Sequence, residues 1–323
     1  MADPGTRRRR RLATAAALPW AAWAVLRATG TERGFPLVPA MSFTPQAALA
    51  AVVPLALAVR TGSRLAALVS AGSGAVLAAG VLAQRRSAAP APGQEGPRLR
   101  VATVSLRRGH VHPEPVVDLV RRWNVDVLSV QELTPRAEAA LCAAGIDAVL
   151  PWSHVIAARP GSVASASGAV WSRLPVRRLG AVPGTFEQPT VGLSVPGGRD
   201  VELTAVHTAP PATSPRSVRD WARDLAALPA PDAGVLRVLA GDFNATFDHA
   251  ALRAVRRSGW VDAAQQVGRG LTWTWQPLRL PHPRLVLDHV LIDPRIAVAG
   301  VQVVHLRGSD HRTLVVDLVL PAT

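Results

Sequence analysis

Cysteine is nearly absent from the 323 residues. Cys142 stands alone, so no intramolecular disulfide can form and a disulfide-stapled mini-protein is excluded. A solitary cysteine of this kind fits a small buried hydrophobe. Tyrosine is missing and phenylalanine occurs only five times, which leaves no base-stacking platform for single-stranded nucleic acid. Lysine is missing too. All 36 basic residues are arginine, so the formal charge of +14 rests on a group that does not titrate near neutrality. That charge is uneven: residues 1–97 hold 11 arginines and 3 acids, and residues 98–323 hold 25 arginines and 19 acids. The larger part is therefore only modestly basic, and composition gives no support to nucleic acid as a partner. With 49% hydrophobic residues, disorder is excluded as well.

Long uncharged runs fill the N-terminal part. Five arginines, Arg7 to Arg11, precede the run Leu12–Leu26, which continues past Arg27 to Gly30. Phe43–Val59 lies within an uncharged stretch, and Leu65–Gln84 adds 20 uncharged residues. A hydrocarbon core of about 30 Å needs around 20 apolar residues, and none of the three runs carries the polar stripe of a soluble helix. They predict three transmembrane helices, 12–30, 43–59 and 65–84, within a membrane anchor over residues 1–84. Pro45 falls in a first turn, whereas Pro19 and Pro54 are interior and predict kinks. Arg7–Arg11 and the loop with Arg60 and Arg64 share one side of a three-span anchor, and the positive-inside rule puts that side in the cytoplasm. The remainder is then expected outside, giving a multi-pass plasma-membrane protein with an extracytoplasmic domain. Residues 85–97, rich in Pro, Ala and Gly, read as a linker.

From Leu99 the pattern changes to short β-branched runs alternating with helical periodicity. Strands are expected at Leu99–Ser105, Val125–Val130, Gly168–Ser172, Val201–Val206, Val235–Ala240, Val286–Ile292, Val301–Leu306 and Thr313–Val319. Helices are expected along Val116–Trp123, at Ser217–Ala227 and at His249–Ser258. This is an α/β domain spanning 98–321. Its polar residues gather at strand ends: Ser105, Gln131-Glu132, His207, GDFN from Gly241, LDHV from Leu287 and SDH from Ser309. Residues projecting from one edge of the sheets are how active sites of α/β folds are assembled.

The order strand–QE, SRLP (Ser172–Pro175), strand–H, GDFN, LDHV and SDH resembles the endonuclease/exonuclease/phosphatase superfamily, and the three-span N-terminus resembles a membrane-anchored bacterial branch of it. The resemblance implies a two-sheet α/β sandwich and a phosphoester hydrolase dependent on Mg²⁺ or Mn²⁺, acting as a phosphodiesterase or phosphatase. It implies Glu132 and Asp310 as metal carboxylates and Asp242 as the group that orients or deprotonates the attacking water. Asn244 would donate to the phosphoryl group, Asp288 would fix the tautomer of His311 at the scissile phosphate, and His207 would help protonate the leaving oxygen or hold phosphate. Carboxylates suit Mg²⁺, which keeps several waters and few protein ligands. Ser105 is a further candidate, standing where the superfamily carries an asparagine.

The loop Arg107, Arg108, His110 offers anion binding or a solvated surface, and Trp273 and Trp275 are expected to pack under the site. The alternative reading is a non-catalytic membrane-bound domain that binds a phosphorylated ligand. A transporter is disfavoured, because no acidic or paired charge lies within the spans.

Overall fold

The structure is a computed structural model and describes residues 3–85, 95–278 and 283–322. Most of the linker expected at 85–97 lies outside the described residues. The N-terminal part is helical. One helix runs Pro4–Thr29, carrying the arginine cluster in its first turns, and another runs Arg64–Arg85. Between them the chain is segmented into Leu37–Ala40, a 3₁₀ turn Met41–Phe43, Thr44–Ala50 and Val52–Arg60. Pro39, Pro45 and Pro54 account for the segmentation, because each lacks the N–H that would continue the helical ladder.

Two of these stretches, Leu37–Arg60 and Arg64–Arg85, are long and apolar enough to cross a membrane, and most of the apolar length of each is unburied. The helix Pro4–Thr29 is not among them, so two stretches, not the expected three, have the length and apolar character of a span. Arginines at its start, together with Pro19, Trp20, Trp23 and Arg27, dilute its apolar character. The three helical stretches nevertheless pack together. Trp20 donates its indole N–H to the Ala47 carbonyl at 2.9 Å and Trp23 donates to Thr44 Oγ1 at 3.1 Å.

The described residues of the remainder form twelve strands: β1 (Arg98–Ser105), β2 (Val127–Leu133), β3 (Trp152–Ile156), β4 (Ser167–Ser172), β5 (Val176–Val182), β6 (Gln188–Leu193), β7 (Val201–His207), β8 (Leu236–Asp242), β9 (Val261–Asp262), β10 (Asp288–Ile292), β11 (Ala297–His305) and β12 (Arg312–Val319). They form two mixed six-stranded sheets, ordered β11-β12-β1-β2-β4-β3 and β5-β6-β7-β8-β10-β9. In each sheet one central pair is parallel, β1 with β2 and β7 with β8.

The sheets stack face to face over an aliphatic core that includes Val101, Val127, Val191, Leu203, Val238 and Val316. Their outer faces are covered by helices, Pro113–Arg122 and Pro135–Ala143 on one and Pro215–Ala226 and Ala250–Arg257 on the other. This α/β sandwich agrees with the expected architecture. The sequence missed β3, β5, β6 and the two-residue β9. β5 sits at a sheet edge with Arg177 and Arg178 exposed, and β6 contains Pro189 and Gly192, so neither has the β-branched run that marks a buried strand. Cys142 is exposed on the helix Pro135–Ala143, contrary to its expected core position.

Candidate active site

Register places the site. In the second sheet His207 pairs with Asp242, and Asp242 pairs with Asp288, so three adjacent strand ends present His, Asp and Asp in a row. β7 and β8 lie so close there that a Cβ on Gly241 would meet the Val206 carbonyl oxygen at 2.0 Å, which reserves the first residue of GDFN for glycine. In LDHV the strand alternation sends its two polar residues opposite ways. Asp288 faces the site, while His289 turns into the outer layer, bonded to Asp262 at 3.1 Å and the Ala245 carbonyl at 2.9 Å.

In the first sheet β2 is irregular between Val130 and Leu133, and this puts Glu132 at the rim with φ 54°. Of the five non-glycine residues with positive φ among those described, Arg107, Arg108, Glu132 and Asn244 all line one cleft. Unfavourable backbone conformations gathered in this way are a mark of functional sites.

That cleft, about 740 Å³, lies between the ends of the two sheets. Glu132, His207, Asp242, Asn244, Asp310 and His311 line it, which brings together six of the eight residues singled out by sequence. Asp288 lies one layer deeper and reaches the cleft through His311, whose Nδ1 is 2.9 and 3.1 Å from its two carboxylate oxygens. Nε2 of His311 points toward Asp242 Oδ2 at 3.8 Å. Asp242 Oδ1 accepts the Asn244 backbone N–H at 2.8 Å, and the Asn244 side-chain amide donates to the Thr208 carbonyl at 2.9 Å and to Asp242 Oδ2 at 3.2 Å.

Ser105 is the exception. It ends β1 beside Gln131, is 1% exposed and does not line the cleft, and its hydroxyl has no hydrogen-bond partner. Its carbonyl instead accepts the Ser309 hydroxyl at 2.8 Å, and Ser309 Oγ accepts the His311 N–H at 3.0 Å. Position 105 therefore acts on the site through the backbone of the SDH turn rather than through its side chain.

Electrostatics follow burial and charge. Burial opposes protonation of His311, but Asp288 and Asp242 overcome it and raise the imidazole to about 10. Burial pushes Asp242 up to about 8, with Asp288 adding to the shift and the His311 charge opposing it. Burial, aided by the His311 charge, pulls His207 down to about 3, leaving a neutral ring stacked on Phe186 at 4.3 Å. Burial also raises Glu132, against the His311 charge and the Arg108 backbone N–H bound to its Oε2.

Two groups of side chains bear on cation binding. Asp242, Asp288 and His311 bring ligand atoms within 4.8 Å of one another, but the His311–Asp288 hydrogen bonds already account for that approach. Asp310 Oδ1 is buried without a hydrogen-bond partner, and its charge raises Glu132. A buried carboxylate oxygen left bare beside a second carboxylate is what a hard cation would satisfy.

Thr274 and part of the cleft wall escaped sequence reading, and the two tryptophans expected to pack under the site part company. The Thr274 hydroxyl accepts the backbone N–H groups of Leu287 and Asp288 at 2.9 and 3.0 Å, fixing the start of β10. Trp275 lines the cleft, 6.4 Å from the His311 ring. Trp273 stands aside, with the Arg312 and Arg284 guanidinium groups 3.3 and 4.7 Å from its ring centre. Arg107, Arg108 and His110 do line the cleft. Pro39, Ser42 and Phe43 form part of its wall although they belong to the N-terminal helical part. No motif signals that contact, because it depends on tertiary packing.

The family model whose description reads Endonuclease/Exonuclease/phosphatase family matches residues 102–311, from β1 to the SDH turn. The chain belongs to this family. Members act on phosphoester bonds, so the family supports hydrolysis of a phosphoester here, and the Asp and His cluster could hold a metal. No curated protein matches the chain. Among solved structures it is similar to an endonuclease/exonuclease/phosphatase from Beutenbergia cavernae, with 21% identity, 69% of this chain and 72% of that one covered, and a TM-score of 0.51. A Bacteroides vulgatus member covers 69% and 99% at 15% identity and a TM-score of 0.51. D. rerio TDP2, solved with a single-strand DNA product, covers 68% and 98% at 13% identity and a TM-score of 0.52. At these identities the likeness establishes the fold.

Proposed function

We propose that this family member is a membrane-tethered, divalent-metal-dependent phosphoester hydrolase acting outside the cytoplasm. The observation that carries the hydrolase reading is the His311–Asp288 pair opening onto the same cleft as Asp242, Glu132 and the bare carboxylate oxygen of Asp310. Glu132 and Asp310 would hold Mg²⁺ or Mn²⁺, which when bound neutralises charge on the phosphoryl oxygens.

The chain's own groups supply the rest. Asp242, fixed by two hydrogen bonds from Asn244, orients the attacking water and accepts its proton. His311, kept charged by Asp288, donates from Nε2 to a phosphoryl oxygen as negative charge builds there. Neutral His207 lines the same cleft and would bond the leaving oxygen.

Several observations support the membrane placement. Leu49, Val52, Val53, Val59, Leu65 and Leu68 are all exposed, an apolar surface that a soluble monomer does not maintain. Arg10 and Arg11 lie near Ser63 and Leu65 at one end of the helical part. At its other end Arg27 and Gln84 reach the folded domain. The arginine-rich end fits the cytoplasmic side, and the domain then lies opposite.

Purified full chain in detergent tests the reading. Hydrolysis of bis-p-nitrophenyl phosphate should require Mg²⁺ or Mn²⁺, stop with EDTA, and fall about a hundredfold or more in Glu132→Gln, where a neutral amide loosens the metal. Equal turnover with EDTA, or in that variant, would refute the metal role.

A further inference from the structure

One wall of the cleft comes from the stretch that is itself long and apolar enough to span a membrane. Pro39, Ser42 and Phe43, at the head of Leu37–Arg60, line the same cleft as Glu132 and His311. This wall is clamped to the catalytic loop, the segment 243–249 that follows Asp242 at the end of β8. Asp248, six residues after Asp242, accepts from Arg27 Nε and from Gln84 Nε2, both at 2.9 Å, so the ends of the first and last long helices converge on one buried carboxylate. Gly80 makes room for the clamp, since a Cβ there would meet the Arg27 guanidinium at 2.9 Å.

Next along the loop, His249 Nε2 lies 3.4 Å from Ser42 Oγ, and Arg253 donates to the Arg27 carbonyl at 2.9 Å. Val38 packs into the cluster that contains Val206 and Phe243, the neighbours of His207 and Asp242 in sequence. The apolar stretch is thus built into the site and does not merely tether it. Beside it, Phe35 and Leu37 are each 44% exposed, and Val163, which also lines the cleft, is 63% exposed.

We infer that the substrate is a phosphodiester carried by a membrane lipid, with its phosphate at Glu132, Asp242 and His311 and its lipid portion leaving the cleft along Pro39 and Phe43 into the bilayer. This rests on the phosphoesterase and membrane readings above. The charges suit it. Arg107 and Arg108 line the cleft and can meet an anionic headgroup, while the wall toward the helices is apolar. A nucleic acid would instead meet hydrophobic segments along that wall. In the reaction the water oxygen bonds to phosphorus and one ester P–O bond breaks. The departing oxygen takes up a proton, giving an alcohol and a phosphomonoester for each water consumed.

Full chain reconstituted with Mg²⁺ in phosphatidylcholine vesicles containing phosphatidylglycerol, phosphatidylinositol or cardiolipin tests this. The comparison substrates are a short-chain, water-soluble phospholipid with the same headgroup, bis-p-nitrophenyl phosphate and a single-stranded oligonucleotide. At least one vesicle lipid should be cleaved with kcat/KM about tenfold or more above its soluble analogue, as expected when a lipid portion adds apolar contact. Phe43→Asp should lower that ratio about tenfold and Phe43→Leu should preserve it. Turnover of the soluble diester or the oligonucleotide without any vesicle lipid being cleaved would overturn the inference while leaving the hydrolase reading intact, and so would an unchanged ratio in Phe43→Asp. No turnover of any phosphoester would instead overturn the hydrolase reading.

Discussion

Nδ1 of His311 lies 2.9 Å from Oδ2 of Asp288, and this one contact decides which nitrogen the imidazole offers to the cleft. Nδ1 is committed to the carboxylate, so Nε2 faces the space beside Asp242. Asp288 also keeps the ring charged. Asp288→Asn should leave the fold intact, because the Thr274 hydroxyl holds the backbone N–H of residue 288 whatever its side chain. It should lower kcat about a hundredfold or more, within the range for loss of a positioned proton donor, and leave KM within a few-fold. An unchanged kcat at unchanged melting temperature would show that the charge on His311 plays no part in turnover.

The SDH turn supplies a second test. Ser309 bonds both the Ser105 carbonyl and the His311 N–H, whereas the Ser105 hydroxyl bonds nothing. Ser309→Ala should therefore lower kcat about tenfold by loosening His311, at a cost near 1 kcal/mol for each lost hydrogen bond. Ser105→Ala should be nearly silent in both turnover and melting temperature. Ser105→Asn should destabilise the chain by about 1–3 kcal/mol, because the larger side chain must fit a site that is already closed to solvent. Comparing the three variants in steady-state kinetics and thermal unfolding checks the order. If Ser105→Ala proved the most damaging, the hydroxyl would have to reach the site.

Glu132, His207, Asp242 and His311 were legible because each ends or adjoins a strand whose β-branched run is itself legible, and strand ends on one edge of stacked sheets must meet. Ser105 does end β1 as its β-branched run implies, but its side chain is buried and does not line the cleft. Which way a strand-end side chain turns depends on register and local irregularity, and sequence periodicity does not carry that information. Thr274 and Ser309 escaped because a hydroxyl that braces backbone N–H groups leaves no spacing pattern. The wall formed by Pro39, Ser42 and Phe43 was invisible for another reason. It joins residues some 200 positions apart in sequence through packing alone.

His249 makes the junction between the helical part and the catalytic loop sensitive to acid. Its Nδ1 accepts the Thr246 N–H at 3.0 Å and its Nε2 faces Ser42, and burial, with Arg253 adding, holds the buried ring down at about 4 against an ordinary 6.5. The folded value is the lower one, so the unfolded chain takes up a proton first as pH falls. The stabilisation is complete above about pH 6.5 and is lost progressively down to about pH 4, by about 3 kcal/mol in all. His249→Asn retains an oxygen to accept the Thr246 N–H and a residue suited to the N-cap of the helix Ala250–Arg257, but it does not titrate. Relative to this variant, wild-type chain in detergent should lose melting temperature steadily from pH 6.5 to 4. Parallel profiles would mean that the ring is not held neutral.

Orientation can be read from the single thiol. Cys142 is the only cysteine in the chain and is exposed on the helix Pro135–Ala143, far in sequence from both apolar helical stretches, so a thiol reagent reports on the α/β domain alone. Partial burial and the neighbouring Asp147 push this thiol up to about 11, so thiolate is scarce at neutral pH and labelling should be slow. Raising the labelling pH to about 8.5 and lengthening exposure compensates, since the thiolate is the reactive form. With the arginine-rich end of the helices inside, a membrane-impermeant maleimide should label Cys142 in intact spheroplasts to the same extent as in permeabilised ones, and Cys142→Ser should abolish the signal. Labelling that appears only after permeabilisation would reverse the orientation. Arg7–Arg11, Arg60 and Arg64 would then lie outside, against the charge rule that sets topology, and the cleft would face cytoplasmic phosphoesters.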